Sequence, residues 1–293
     1  MHISHYLDRI GYTGDLQPTA VTLRALQQAH LLAIPYENLD IHLGRQLTLD
    51  TEAIYQKIVV EGRGGWCYEM NGLFAWALRE LGFQVTLLAS AVNRAAHGDR
   101  AERNHLILRV DVERPYLADV GFGNGFRFPL PLEAGRYPHD FQEFELKANG
   151  SQWWLLDRGT GGPGYDFTLE PRQMIDFAAQ CHTLQTSPES GFVKNTVSYR
   201  FKPEGFISLR GALLRRFRST GVGASGRPGW LSRRLPMYGC IGRCCRSSLA
   251  FGCRQRISTN CGKLFTRHPS PIQCRNEHYV LIQLNAWADA NPH

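Results

Sequence analysis

Arg63-Gly64-Gly65-Trp66-Cys67-Tyr68-Glu69-Met70-Asn71 is the stretch that decides how this chain folds. Two glycines stand just before a cysteine. From Cys67 onward, Leu73, Phe74, Ala77, Leu78 and Leu81 recur at helical spacing, and Gly82 stands where the run stops. Cys67 therefore falls in the first turn of a helix. The unpaired N–H groups and the dipole there stabilise a thiolate, so the position predicts a thiol of lowered pKa. The same N–H groups can hold an oxyanion. Gly64-Gly65 lets the chain turn tightly and lets other backbone or a ligand approach. A cysteine without such neighbours reads as a small buried hydrophobe, which is the reading for Cys181.

Upstream, the chain reads as mainly helical to residue 82. Ser4 is placed to cap a first short helix, and Pro18-Thr19 opens a second with Leu23, Leu26, Leu31 and Leu32 on its apolar face. Ile34-Pro35-Tyr36-Glu37-Asn38-Leu39-Asp40 breaks it, because proline and the residue before it resist helix. Thr51-Glu52 starts another, with Ile54, Ile58 and Val59 at helical spacing.

Downstream the period changes to that of strands, over 85–92, 104–112 and 115–120. His105 opens an apolar strand. Asp119 follows the apolar pair Leu117-Ala118, where a buried carboxylate needs a partner. The short turn Glu113-Arg114-Pro115 joins the two strands, so His105 and Asp119 are able to face each other across a hairpin. Asp119 would then orient the imidazole, and His105 would take the thiol proton. Gly121-Phe122-Gly123-Asn124-Gly125 is a loop. Segments 141–146 and 152–156 form a further hairpin turning at Asn149-Gly150. A short helix is expected over 172–179, a strand over 196–201, and another over 205–209.

Beyond Arg218 neither period persists. The chain has 293 residues and a net charge of +7, but residues 205–276 hold 14 of its 33 basic residues and no acid at all. Elsewhere 19 basic residues face 26 acidic ones, so the chain is an acidic protein with a basic segment attached. Six of the eight cysteines, Cys240, Cys244, Cys245, Cys253, Cys261 and Cys274, also lie there. No paired C-x2-C knuckle accompanies them, which argues against zinc, and no metal is expected. The positive charges alone would suit phosphate, yet they lie in one segment rather than forming a general bias, and no nucleic-acid partner is expected. A shift of reading frame near 218–226 explains the change of composition. Resequencing that returned the same residues from an intact frame would sink that hypothesis. Elsewhere, hydrophobic residues at 43% and charged ones at 20% suit a globular protein. No run approaches the roughly 18–20 apolar residues of a membrane span. Met1-His2-Ile3-Ser4-His5 lacks the basic flank and apolar run of a signal peptide, so a cytoplasmic location is expected.

The stretch 63–71 resembles the Arg-Gly-Gly-aromatic-Cys-aromatic-Glu-x-Asn signature of arylamine N-acetyltransferases. Ile34-Pro35-Tyr36-Glu37-Asn38-Leu39 is similar to that family's Ile-Pro-Phe-Glu-Asn-Leu block. Asn104-His105-Leu106 and Ala118-Asp119-Val120-Gly121-Phe122-Gly123 match its histidine and aspartate blocks, and Thr186-Ser187-Pro188-Glu189-Ser190-Gly191-Phe192 and Pro203-Glu204-Gly205 match further ones. Order and spacing agree over about residues 1–217, and Tyr36 and Trp66 are mild departures.

The resemblance implies an α+β fold with a cysteine-protease-like catalytic core. An N-terminal helical bundle (1–82) carries the cysteine and a central β-barrel (83–195) carries His and Asp. A C-terminal α/β lid (196–293), atypical after about 218, completes it. The implied activity is acetyl-CoA-dependent N-acetylation of arylamines, arylhydroxylamines and hydrazines. It runs by a ping-pong mechanism through a thioester on Cys67, with His105 and Asp119 completing a triad. By the same analogy Tyr36 and Phe122 border the acceptor pocket, and Gly121, Gly123 and Gly125 let their loop approach coenzyme A. Arg63 is expected to hold structure through a carboxylate, with Glu69 tying the helix start to it. The alternatives are a related amide synthase using another acyl donor, or an inactive protein with an intact triad and a damaged lid. Transglutaminase-like hydrolases share the Cys, His, Asp order, but the glycine-cysteine and Pro-Tyr-Glu-Asn blocks fit them poorly.

Overall fold

The computed structural model describes residues 1–139, 142–159, 162–218 and 229–234. The readings that fall on 219–228 and 235–293, namely the shifted frame, the zinc and basic-arm alternatives and the end of the lid, lie outside the described residues.

The helical half forms where the apolar spacing places it. Helix α1 (Ile3–Ile10) begins one residue before Ser4, with His2 at its N-cap, so Ser4 lies inside the first turn and does not cap it. Helix α2 (Ala20–Ala33) is capped by Thr19, whose hydroxyl accepts the Thr22 N–H at 3.2 Å. A strand β1 (Tyr36–Glu37) and a turn of helix α3 (Leu39–His42) follow. Asp50 caps α4 (Thr51–Tyr55) through the Ala53 N–H at 2.8 Å, and the chain runs on as a π-helical turn, Gln56–Val60. Helix α5 (Cys67–Glu80) ends before Gly82, whose φ of 86° favours glycine. Tyr6, Leu23, Leu26, Ile54, Phe74 and Leu78 are fully buried between these helices. Each is worth up to about 1.5–3 kcal/mol of apolar burial.

Eight antiparallel strands make the larger sheet. They are β2 (Gln84–Val92), β3 (His105–Asp111), β4 (Pro115–Ala118), β5 (Leu130–Pro131), β6 (Gly135–His139), β7 (Gln142–Asn149), β8 (Gln152–Asp157) and β9 (Tyr165–Arg172). A short helix α6 (Arg94–His97) lies between β2 and β3. The strand order is β5-β4-β3-β2-β9-β8-β7-β6. The sheet curls into a nearly closed barrel. Phe126 and Phe128, beside one edge, meet His139 and Phe144 from the other, with ring centroids 5.8 Å apart for Phe126–Phe144 and 5.4 Å for Phe128–His139. Strand β6 escapes a propensity reading because it carries Gly135 and Pro138, and Pro138 is tolerated because β6 is an edge strand.

The helix expected over 172–179 is displaced. Pairing with β2 carries β9 through Arg172, which satisfies the backbone there as strand. A 3-10 turn at Met174–Phe177 then leads into α7 (Ala178–Thr186). Helix α8 (Gly191–Lys194) precedes the second sheet. That sheet has the order β1-β10-β11-β12-β13, with β10 (Val197–Lys202), β11 (Gly205–Arg210), β12 (Leu213–Arg218) and β13 (Gly229–Arg234). Its far edge comes from the helical half, through Tyr36 opposite Tyr199 and Glu37 opposite Ser198.

Candidate active site

The glycines before Cys67 bring α5 against β1. A Cβ on Gly64 would lie 2.3 Å from the Pro35 carbonyl oxygen, so glycine is required there. The Glu37 N–H donates to the Gly65 carbonyl at 2.9 Å, and the Gly65 N–H to that of Pro35 at 3.3 Å. Cys67 then opens α5 with 2% of its surface exposed and its Sγ 4.0 Å from the Asn104 carbonyl oxygen. Burial pushes this thiol well above the usual range. Cys181 and Asp119 add to the rise, while the Tyr68 N–H pulls the other way. Burial thus runs against the lowered pKa expected of a first-turn cysteine, because desolvation outweighs the Tyr68 N–H bond.

His105 and Asp119 meet as the hairpin reading expects. His105, first residue of β3, places Nε2 2.8 Å from Asp119 Oδ2. A carboxylate only accepts, so Nε2 donates to it. Every lone-pair direction of Asp119 is used. Its Oδ1 accepts from Asn71 Nδ2 and from the Gly121 N–H, each at 2.8 Å, and its Oδ2 also accepts from the Tyr165 hydroxyl at 3.3 Å. Asn71, one turn along α5 from Cys67, donates as well to the Leu106 carbonyl at 2.6 Å and accepts the Val120 N–H at 2.9 Å. One buried amide thus clamps the cysteine helix to β3, which opens with His105, and to the residues just past β4 that include Asp119.

A buried charge cluster supports the other side of the helix start. Lys57 Nζ lies 2.8 Å from both Glu69 oxygens and 2.9 Å from Asp40 Oδ2. Arg63 also donates to Asp40, and the Trp66 N–H donates to Glu69 Oε2 at 3.2 Å. Arg63 and Glu69 thus occupy the structural places the sequence suggests. Burial raises Glu69 to about 7 against the pull of Lys57. Burial also raises Glu37, against Lys57 and its bond from the Leu39 N–H. Asp40 would rise by burial too, but Lys57 and Arg63 more than offset this and hold it low. Lys57 is disfavoured by burial but raised overall by Glu69, Glu37 and Asp40.

Aromatic rings line the site. Phe122 packs on His105 with centroids 5.2 Å apart and on Tyr165 at 5.1 Å, and Tyr165 packs on His105 at 5.4 Å. The loop glycines lie flush against protein. A Cβ on Gly121 would fall 2.8 Å from Cys67 Cα, one on Gly123 2.8 Å from the Tyr199 ring, and one on Gly125 3.0 Å from Phe122 Cβ. The structure thus gathers Cys67, His105, Asp119, Phe122 and Tyr36 into one region, and places Gly121 on the cysteine itself. Sequence reasoning left Asn71, Tyr165 and Lys57 without a role. Asn71 carried a signal, a polar residue one turn from Cys67 on a buried face. Tyr165 lies 46 residues from Asp119 in the chain and carried none. Among the described residues no cluster of three or more His, Cys, Asp or Glu side chains fits a metal ion. No helix among them is long and apolar enough to cross a membrane.

A sequence family described as N-acetyltransferase matches residues 19–225. Fold, site and match together define an acyltransferase. Arylamine N-acetyltransferase 2 of Mus musculus is 35% identical over 244 residues, covering 74% of this chain and 84% of its own. Arylamine N-acetyltransferase 1 of Homo sapiens is 34% identical over 244 residues, with the same coverage. The structure of Mycobacterium marinum arylamine N-acetyltransferase in complex with CoA superposes with a TM-score of 0.72 at 33% identity, covering 80% of this chain and 87% of that one. The chain belongs to the arylamine N-acetyltransferase family, and it is an enzyme of that acyltransferase class.

Proposed function

We propose that this enzyme moves an acetyl group from acetyl-CoA to the nitrogen of an arylamine, arylhydroxylamine or hydrazine by a ping-pong mechanism through acetyl-Cys67. The observation that carries the reading is a buried thiol opening α5 beside a His105–Asp119 pair bonded at 2.8 Å. The thiol proton passes to His105 Nδ1 as Sγ attacks the thioester carbonyl. The new carbon–sulfur bond replaces the bond to coenzyme A, whose sulfur takes the proton back from His105. The amine then attacks acetyl-Cys67, His105 takes a proton from its nitrogen, and Cys67 leaves with that proton. Asp119 holds Nε2 and favours the imidazolium that forms at each step. Exchange of one thioester for another is nearly balanced in energy, which suits a sulfur carrier.

Tyr36 and Phe122 border the acceptor, and Gly121, Gly123 and Gly125 form the loop along which coenzyme A approaches. The helices to residue 82 carry the thiol, residues 83–195 the His–Asp pair, and the segment from 196 the lid. The two cysteines among the described residues, Cys67 and Cys181, are free and buried, which suits a reducing cytosol.

A second reading draws on one observation: the family match stops at residue 225 of a chain of 293. In it the triad is live but coenzyme A is not held. Initial rates with both substrates varied test the main reading. Parallel double-reciprocal lines with acetyl-CoA are expected, and intersecting lines would contradict the ping-pong route. Turnover of a small activated acetyl ester with no turnover of acetyl-CoA would support the second reading. Faster turnover of a longer acyl-CoA would point to another acyl donor.

A further inference from the structure

We infer that the Tyr36 phenol is a further catalytic group, donating a hydrogen bond to the carbonyl oxygen of the acetyl group carried on Cys67. The inference rests on Cys67 being the acyl carrier.

The place of Tyr36 is fixed from two sides. Its backbone pairs with Tyr199 in β10 and forms a parallel bridge to Gly65, two residues before the thiol. Its ring packs edge-on against Tyr199 with centroids 6.1 Å apart. The Tyr199 ring in turn sits on Gly123, whose φ is 77° and where a Cβ would lie 2.8 Å away. Tyr36 also belongs to the same packed cluster as Cys67.

The phenol is left wanting an acceptor. Tyr36 is 8% exposed, and no hydrogen bond joins its hydroxyl to any described residue. Its oxygen is not among the sealed, unpaired polar atoms of the described residues, so it opens on accessible space. A nearly dry hydroxyl without a partner costs free energy until a ligand supplies one. Burial raises the phenol well above its ordinary pKa, so it stays a donor, and after burial the largest influence on it is the Cys67 sulfur, ahead of Tyr199 and Asp119. The polar group that chemistry brings beside that sulfur is the acyl carbonyl, in both half-reactions. When sulfur or amine attacks, the carbonyl π pair moves onto oxygen. The phenol keeps its proton, and its hydrogen bond strengthens with the charge.

The test is isotope-edited infrared spectroscopy of the enzyme acylated with carbonyl-13C acetyl-CoA without an acceptor, for wild type, Tyr36→Phe and Tyr199→Phe. A hydrogen bond lowers the thioester carbonyl stretch, so the band should lie higher in Tyr36→Phe and stay in place in Tyr199→Phe. Single-turnover acylation and deacylation should both slow in Tyr36→Phe by about 10–100-fold, with KM little changed. An unmoved band in Tyr36→Phe, or an equal shift in Tyr199→Phe, overturns this inference alone. Absence of any acetyl band in the wild type overturns the acyl-carrier reading and this inference with it.

Discussion

Replacing Lys57 by Met should destabilise the protein in a pH-dependent way. Lys57 is one of three cations, with Arg45 and Arg63, set against the buried carboxylates Glu37, Asp40 and Glu69, and it alone bonds both Glu69 oxygens at 2.8 Å. Without it, the Trp66 N–H at 3.2 Å is the remaining donor to Glu69 among the described residues, and Asp40 keeps its arginine partners. Removing one partner of a buried ion pair costs about 3–5 kcal/mol when the other stays charged. The sign with pH follows from Glu69, raised by burial to about 7 in the wild type and higher still without Lys57. A carboxyl whose folded pKa exceeds its unfolded value lets the folded state bind the extra proton. Its stabilising effect is present at low pH and is lost as pH rises through the folded pKa. The variant's penalty should therefore grow above about pH 7 by up to about 1.4 kcal/mol per pH unit, and Glu69's share of it should level off below that pH. Asp40, held low in the wild type, retains part of the penalty down to the carboxylate range. Urea unfolding followed by circular dichroism at several pH values reads this directly, and Lys57→Arg should recover most of the loss at every pH. A penalty below about 1 kcal/mol, or one that does not change with pH, would refute the reasoning.

His30 is fully buried, with Nδ1 2.8 Å from the Tyr6 hydroxyl, and burial with Arg9 nearby holds it down at about 3. The unfolded chain binds the proton first as pH falls, so this contribution is complete above the ordinary histidine pKa and is lost on acidification toward 3. His30→Gln should flatten the acid limb of the stability curve by about 1.4 kcal/mol per pH unit, measured by urea unfolding; an unchanged slope would count against it. Gly121→Ala would set a Cβ 2.8 Å from Cys67 Cα and 2.6 Å from Asn71 Nδ2. It should cost about 1–3 kcal/mol in thermal unfolding and abolish acylation, and a variant as active as wild type would contradict the close packing. Asp119→Asn should keep the far-ultraviolet dichroism but slow acyl transfer by about 10³–10⁴-fold through loss of the imidazole's tautomer and charge partner. A loss under tenfold would remove Asp119 from its proposed role.

The pieces legible in the sequence were those set by neighbours along the chain. Gly64-Gly65 announced a close approach, and the structure shows the Pro35 carbonyl filling the space a Cβ would need. The run from Cys67 to Gly82 announced a helix with the thiol in its first turn. The short turn after β3 pairs His105 with Asp119 on sequence alone, because a hairpin fixes register locally. What the sequence hid depends on tertiary burial or distant pairing. The rise of the Cys67 thiol follows from the depth of the core around α5, whereas the local sequence showed only the dipole. The break at Pro35 concealed that Tyr36 and Glu37 join a sheet whose other strands begin at Val197. Tyr165 reaches Asp119 only because β9 lies beside β2 in the barrel. Strand β12 was lost in an arginine-rich run, yet Phe217 stacks on Phe206 across the hairpin with centroids 5.4 Å apart.

The central claim is that Cys67 carries the acyl group. Mass spectrometry of the intact protein after incubation with acetyl-CoA, beside Cys67→Ala, tests it most directly. A gain of a single acetyl group by the wild type and none by the variant is the predicted result. The same gain in Cys67→Ala, or none in either protein, would contradict it.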